Sequence, residues 1–256
     1  LLAFLLLDRP SFRPWGVLQR IGLCFAIVGV VALYVTPRMQ WGLIVALLLG
    51  YWVLMAPWGY APYTNLAARI DTVLFAPWLY QWNAALGRGQ DPEGLLSTLP
   101  AIATTLLGVR AGAWLRAGDL RAVLGGGAAS LLLGLLWGQA MPLNKALWTS
   151  SYALFTAGCA MLALAAAHVL VDRRGWPAIG RRFGINAIAA YVGAAVMTYL
   201  VLAAGWMAPI YGIGFAGWMA PRFGPYLPSL AFAVAFVALW WCVVWGMDRR
   251  RWYLKV

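Results

Sequence analysis

The sequence predicts an all-α fold, a polytopic transmembrane bundle, and three observations carry that prediction. Of 256 residues, 64% are hydrophobic and only 10% are charged. A soluble domain carries about 25% charged residues. The charges fall between long neutral blocks: residues 21–37, 39–68, 94–109, 122–144, 146–171, 183–221 and 223–247 contain no Asp, Glu, Lys or Arg. A membrane-spanning helix needs about 20 mostly apolar residues, and a spanning segment must satisfy its own backbone hydrogen bonds, which selects helix. The lengths and the weak alternation exclude a β-barrel.

Taken in order, the blocks predict seven spans: 17–35, 39–56, 94–115, 120–139, 148–171, 184–204 and 228–247. The whole chain reads as one transmembrane domain. Residues 57–93 form an extracytoplasmic loop. Residues 205–227 read as a second, interfacial loop, because they are rich in proline and glycine and repeat Gly-Trp-Met-Ala-Pro at 205–209 and 217–221. Trp206, Tyr211 and Trp218 then sit at headgroup level. The opening Leu-Leu-Ala-Phe-Leu-Leu-Leu has no basic n-region and reads as the tail of an earlier helix rather than as a signal peptide.

The net charge of +12 is not a nucleic-acid signal, because no separate basic segment holds it. With seven spans, twelve of the 19 cationic residues fall on one side. The positive-inside rule makes that side cytoplasmic and puts the C-terminus there. Cys24, Cys159 and Cys242 are odd in number and lie in apolar stretches, so they predict small core residues rather than a disulfide framework. No His/Cys/Asp/Glu cluster has metal-ligand spacing. Gly125-Gly126-Gly127 lies inside a span and predicts close helix packing rather than a phosphate loop. His168, near the cytoplasmic end of its span, reads as an interface residue.

Polar groups at membrane depth are costly and mark candidate sites. Arg20, in Gly16-Val17-Leu18-Gln19-Arg20-Ile21-Gly22, lies about a turn inside the first span; it either snorkels outward or faces inward to hold an anion. In Asp91-Pro92-Glu93-Gly94-Leu95-Leu96-Ser97-Thr98, Asp91 fits the N-cap of the third span, with Pro92 first in the helix, while Glu93 is less well explained by capping. Ser97, Thr98, Thr104 and Thr105 continue a polar stripe. In Pro142-Leu143-Asn144-Lys145-Ala146-Leu147-Trp148-Thr149-Ser150-Ser151-Tyr152, an Asn-Lys pair and three hydroxyls enter the membrane together. Asn186, in Gly184-Ile185-Asn186-Ala187-Ile188, falls in the first turn from the cytoplasmic face.

These blocks, in this order and spacing, resemble the heparan-alpha-glucosaminide N-acetyltransferase family, within the wider YeiB-like membrane acyltransferases. The Asp91–Thr98 and Pro142–Trp148 blocks are the specific ones. The resemblance implies transfer of an acetyl group from cytosolic acetyl-CoA to an amino sugar or sugar hydroxyl on the periplasmic or luminal side. For a bacterial chain it implies a cell-wall or imported saccharide as acceptor. It implies a catalytic histidine upstream of the Gly-Val-Leu-Gln-Arg block, before Leu1, where His168 does not match. Glu93, supported by Asp91, would orient that histidine or the acceptor amine. Asn144, Lys145 and Asn186 would bind the acceptor or stabilise negative charge on the thioester oxygen. Arg20, and at the C-terminus Arg251 and Lys255 beside Arg249 and Arg250, would hold the anionic parts of the coenzyme, since arginine pairs well with phosphate. No metal is expected, and the apolar faces leave room for a homodimer. The rival reading is a sugar or lipid-linked substrate transporter or flippase; a structural membrane subunit is the third.

Overall fold

A computed structural model describes residues 15–254. The chain divides into two compact units, 1–174 and 175–256, where the sequence reads as one domain. Composition carries no boundary signal here, because both units are predominantly apolar. The opening Leu-Leu-Ala-Phe-Leu-Leu-Leu and Lys255 lie outside the described residues.

The first unit holds α1 (Val17–Tyr34), α2 (Pro37–Met55), α3 (Leu66–Phe75), β1 (Gln81–Asn83), β2 (Arg88–Gln90), α4 (Thr98–Arg116), α5 (Leu120–Trp137) and α6 (Ser150–Ala167), which runs on as a π-helical turn over His168–Arg173. Local chemistry sets the boundaries. Thr36 is extended and Pro37 occupies the first turn of α2, where a missing N–H costs nothing. Asn65 and Asp119 cap α3 and α5 by accepting the backbone N–H of Ala68 and Ala122, both at 2.9 Å. Gly118, at φ +74, ends α4 in the left-handed region.

Helix α4 is the centre of this unit and packs against α1, α2, α5 and α6. Its Ala103, Leu106 and Leu107 meet Val28, Ile44 and Leu48 of the first two helices and Val123 and Ala157 of the last two. The closest pair is α5 and α6. A Cβ on Gly158 would lie 2.7 Å from the Gly127 carbonyl, and one on Gly134 would lie 2.8 Å from the Ser151 carbonyl. Backbones approach this closely only where small residues face each other. Gly126 and Gly127 do pack closely, against Trp114 and against Met161 and Leu162; Gly125 faces open space. A smaller cluster of Tyr51, Met55, Ala67, Met141 and Leu147 lies under the 57–93 segment. That segment is structured: besides α3 it carries an antiparallel pair in which Trp82 faces Gly89. The Thr72 hydroxyl ties this pair to α3, accepting the Gly89 N–H at 3.0 Å.

The second unit holds α7 (Arg181–Ile185), α8 (Ala187–Ala203), α9 (Met207–Tyr211), a π-helical turn (Gly212–Ala216), α10 (Gly217–Phe223) and α11 (Leu227–Arg249). The 205–227 segment is therefore mostly helical, not a loop. Gly205, at φ +71, turns the chain, and the path from α8 into 207–223 bends by 102°. Proline is tolerated because Pro209 sits in the first turn of α9, where its N–H is not needed. The second Gly-Trp-Met-Ala-Pro copy continues from a π turn, so the same pentapeptide opens one helix and lies within another stretch. Phe232 of α11 anchors this arm through edge contacts with Tyr211 and Phe215 at 5.8 and 5.5 Å.

Among the described residues, five helical stretches are long and apolar enough to cross a membrane: Val17–Tyr34, Pro37–Trp58, Leu120–Trp137, Ser150–Arg173 and Leu227–Arg249, or six spans with the bent pair Ala187–Ala203 and Met207–Phe223 counted as one. The expected third span, 94–115, is a helix over Thr98–Arg116 but is not among them. It carries Thr98, Thr104, Thr105, Arg110 and Arg116, and it is the helix most enclosed by its neighbours. Outward faces elsewhere are apolar: Phe25, Leu33 and Leu136 are 77%, 79% and 69% exposed. Such a surface requires an apolar medium to cover it.

Candidate functional site

At one end of the first unit, three segments distant in sequence meet: the start of α1, the turn before α4, and the loop between α5 and α6. Arg20 is the hub. It is 6% exposed, so it faces inward and does not snorkel. Its guanidinium donates to the Pro92 and Ser97 carbonyls, both at 2.9 Å, across 72 and 77 residues of chain. It also stacks over the Trp148 ring, 4.7 Å from the centroid. The two carbonyls use two of its five N–H donors. Among the described residues, no carboxylate forms an ion pair with Arg20.

This contact explains a departure from the expected helix start. Asp91 does not cap α4, which begins at Thr98. Instead residues 91–97 form a run of turns whose backbone groups are taken by side chains. The Asp91 carboxylate accepts the Glu93 N–H at 3.0 Å and the Tyr80 N–H at 3.3 Å. The Ser97 and Thr98 hydroxyls donate to the Gly94 carbonyl at 2.9 and 3.0 Å. Arg20 takes the two carbonyls that a helix starting at Pro92 would need for itself.

The Arg20 side chain opens onto a cavity of about 360 Å³, lined also by Cys24, Glu93, Thr104, Thr105 and Trp148. Glu93 is half-buried there. A second cavity of about 340 Å³ continues along α4 and α6 from Thr104 and Trp148 to Ala111 and Leu164. Trp148 stands between the two, its indole N–H donating to the Thr104 hydroxyl at 3.2 Å. The expected polar stripe is largely self-satisfied: Thr104 and Thr105 donate to the Pro100 and Ala101 carbonyls.

The 142–152 block is mainly a structural device. Thr149, Ser150 and Ser151 are fully buried. They donate to the Pro142, Leu48 and Met141 carbonyls at 2.8, 2.7 and 2.7 Å. Tyr51 closes the same joint from α2, donating to the Leu147 carbonyl at 2.7 Å. The Asn144 side-chain oxygen Oδ1 accepts the Ala146 and Leu147 N–H groups, which shapes the loop that carries Trp148. Lys145 is exposed. Neither Asn144 nor Lys145 lines the Arg20 cavity.

Asn186, Arg251 and the other C-terminal cations belong to the second unit. Asn186 is fully buried at the break between α7 and α8, and neither of its side-chain polar atoms has a hydrogen-bond partner. Arg249 and Arg250 stack on Trp245 and Trp252, at 4.2 and 5.2 Å. Arg251 is exposed, at φ +58. Asp248 accepts from Arg182 at 3.3 Å and from the Tyr253 hydroxyl at 3.1 Å. His168 contacts Asp172 at 2.7 Å at the far end of α6, about 27 Å of helical rise from Ser150.

Sequence reasoning missed Asp71. It lies on α3 with Ala67 and Ala68 on the buried face and is 1% exposed. One carboxylate oxygen accepts the Leu95 N–H at 2.9 Å; the other is buried without a partner, against Gly94. Burial, and secondarily the charge of Asp91, push its carboxyl up to about 6, against the pull of the Leu95 N–H. The only signal in the sequence was an acid at helical spacing from two alanines. The linkage has a definite sign. Asp71 ionises near 3.8 in the unfolded chain and about 6 in the fold, so the fold holds the proton longer. Stability is therefore expected to fall by roughly 3 kcal/mol as pH rises from about 4 to about 6. Chemical denaturation across that range checks this, and Asp71→Asn should flatten the profile.

No family model matches the chain, and no curated protein matches it. Fold and site define a mainly helical chain with, among the described residues, five or six helical stretches able to cross a membrane, and with Arg20 and Glu93 lining one cavity. Among the described residues, no group of three or more His, Cys, Asp and Glu could hold a metal ion.

Proposed function

We propose that the chain is the membrane-embedded part of an acyltransferase, moving an acetyl group from cytosolic acetyl-CoA to an amino sugar or sugar hydroxyl on the periplasmic or luminal side. The observation that carries this reading is the cavity shared by Arg20 and Glu93. It joins three of the sequence blocks that resemble the N-acetyltransferase family. A buried guanidinium with spare donors and, among the described residues, no carboxylate ion-paired to it suits an anionic or developing-oxyanion group. A carboxylate at the same wall suits the acceptor amine. The second cavity, along α4 and α6, suits a slender extended group such as a pantetheine arm.

On this reading the acceptor nitrogen forms a C–N bond to the acetyl carbon as the C–S bond breaks. Coenzyme A leaves as the thiol, carrying the equivalent of the proton that the amine gives up. Glu93 holds the amine or orients the upstream histidine, and Arg20 holds the donor. Thr98–Arg116 then acts as a seventh span, and the C-terminus lies on the cytoplasmic side of a bacterial inner membrane. Asn144 and Lys145, in the loop between α5 and α6, serve the acceptor.

The test is acetyl transfer in proteoliposomes made with protein from the whole reading frame. Labelled acetyl-CoA is supplied on the cytoplasmic side and glucosamine on the other. Labelled N-acetylglucosamine is the expected product. Glu93→Gln is expected to lower its rate by about 10²-fold or more, the usual weight of a positioned acid–base group. Full activity of that variant removes Glu93 from the chemistry, and absence of acetyl-CoA binding overturns the acyltransferase reading.

One observation favours a second reading. The 102° break between α8 and α9 resembles the broken helices of transporters. A transporter moves labelled sugar across the same vesicles without acetyl-CoA.

A further inference from the structure

The carboxylate of Asp71 has no access to the Arg20 cavity, yet it touches the segment that shapes it. Residues 91–97 are held from three directions. Arg20 holds the Pro92 and Ser97 carbonyls from the cavity side. Asp91 holds the Glu93 N–H from within the turn. Asp71 holds the Leu95 N–H from α3. The second oxygen of Asp71 packs on Gly94 so closely that any Cβ there would overlap it. The glycine of the Asp-Pro-Glu-Gly sequence is thus required by an acid 23 residues upstream; its φ is not in the left-handed region.

We propose that Asp71 is a positioning residue for this cavity: from outside it, the Asp71 carboxylate fixes the 91–97 turn, and through the turn the orientation of the Arg20 guanidinium and of Glu93. The geometry supports this on three counts. The hydrogen bond lands on Leu95, between the two carbonyls that Arg20 grips. Glu93 is next to the glycine on which Asp71 rests. The helix bearing Asp71 is itself anchored, through the Asn65 cap and the Thr72 contact with Gly89. An aspartate serves better than an asparagine because both faces of the contact, an N–H and a Cα–H, are donors, and an amide would turn its NH₂ toward one of them. The charged group that acts on Asp71 from a neighbouring element is Asp91 in the turn.

The inference concerns the cavity and holds whichever reaction occurs there, so its test reads geometry first. The full-length protein in lipid nanodiscs is compared with Asp71→Ala, Asp71→Asn and Gly94→Ala. Amide exchange is followed over 91–97, and the guanidinium proton signals of Arg20 are followed in arginine-labelled protein, identified by their loss in Arg20→Lys. Asp71→Ala is expected to speed exchange at Leu95 by about tenfold or more, the weight of a charge-assisted hydrogen bond. The Arg20 signals are expected to lose their protection, while exchange in α5 and α6 stays unchanged. Asp71→Asn should do less. Gly94→Ala, which presses on the same contact from the other side, should reproduce the effect and carries the test if Asp71→Ala does not fold. Protected Arg20 signals and unchanged exchange at 91–97 in Gly94→Ala and Asp71→Asn overturn the proposal. If transfer is measurable, loss of Glu93 and Arg20 function without loss of the melting transition separates positioning from a merely structural role.

Discussion

Gly158→Val is expected to be the most destabilising single change in the first unit, costing about 3 kcal/mol or more. The reason is the nature of the obstacle. A Cβ at Gly158 meets the backbone of Leu131 and, at 2.7 Å, the Gly127 carbonyl, not the end of a flexible side chain. No rotamer change relieves such an overlap, so the α5 and α6 axes must separate. Separation also pulls on Gly134, where a Cβ would lie 2.5 Å from the Phe155 N. It loosens the buried Thr149–Ser151 joint at the start of α6 as well. A cost of that size should lower the melting midpoint in detergent by roughly 10 °C. Gly125→Ala, on the partner helix α5, is the control: its Cβ meets nothing, and alanine is about 1 kcal/mol better than glycine inside a helix. Circular dichroism melts of the two variants should therefore move in opposite directions. Equal melts would mean that the two helices do not pack through these glycines.

On the proposed acyltransferase reading, Arg20→Lys is expected to weaken acetyl-CoA binding by a factor on the order of 10 to 100, with a smaller effect on folding. The charge is kept, but the fork is not. Two carbonyls five residues apart in the turn, an indole face and the cavity are all served by one planar guanidinium. A lysine ammonium reaches one of these at a time, and its stacking on Trp148 is weaker in geometry. Titration calorimetry of acetyl-CoA against the variant checks this. Unchanged affinity would take Arg20 out of donor recognition and leave it as a brace for the 91–97 turn.

Much of the fold is legible in the sequence because apolar length is a one-dimensional property. The helices at 17–34, 120–137, 150–173 and 227–249 lie within a few residues of their expected positions. The site is legible only in part. Arg20 and Glu93 stand out because each is a charged group where the surroundings are apolar, and the fold brings them to one cavity. Asp71 does not stand out, since an acid in a short amphipathic helix outside any span has an ordinary explanation. Thr149, Ser150 and Ser151 stand out for the wrong reason: their hydroxyls are spent on the backbone of their own joint. The 205–227 segment reads as a loop because glycine and proline weaken helix propensity, and packing of Phe232 against the arm outweighs that propensity.

By itself the sequence determined that this chain is helical, that most of its helices are apolar on every face, and which few polar residues break that rule. Those are properties of composition and spacing, and the cost of an unbonded backbone in an apolar medium makes them decisive. Tertiary structure alone decided that the chain forms two units, that Asp91 braces a turn instead of starting a helix, and that Arg20, Glu93 and Trp148 share a cavity which Asp71 supports from behind. The shared cavity and its support depend on contacts between residues 24 to more than 100 positions apart, and local propensity carries no information about which distant carbonyl a buried guanidinium will find.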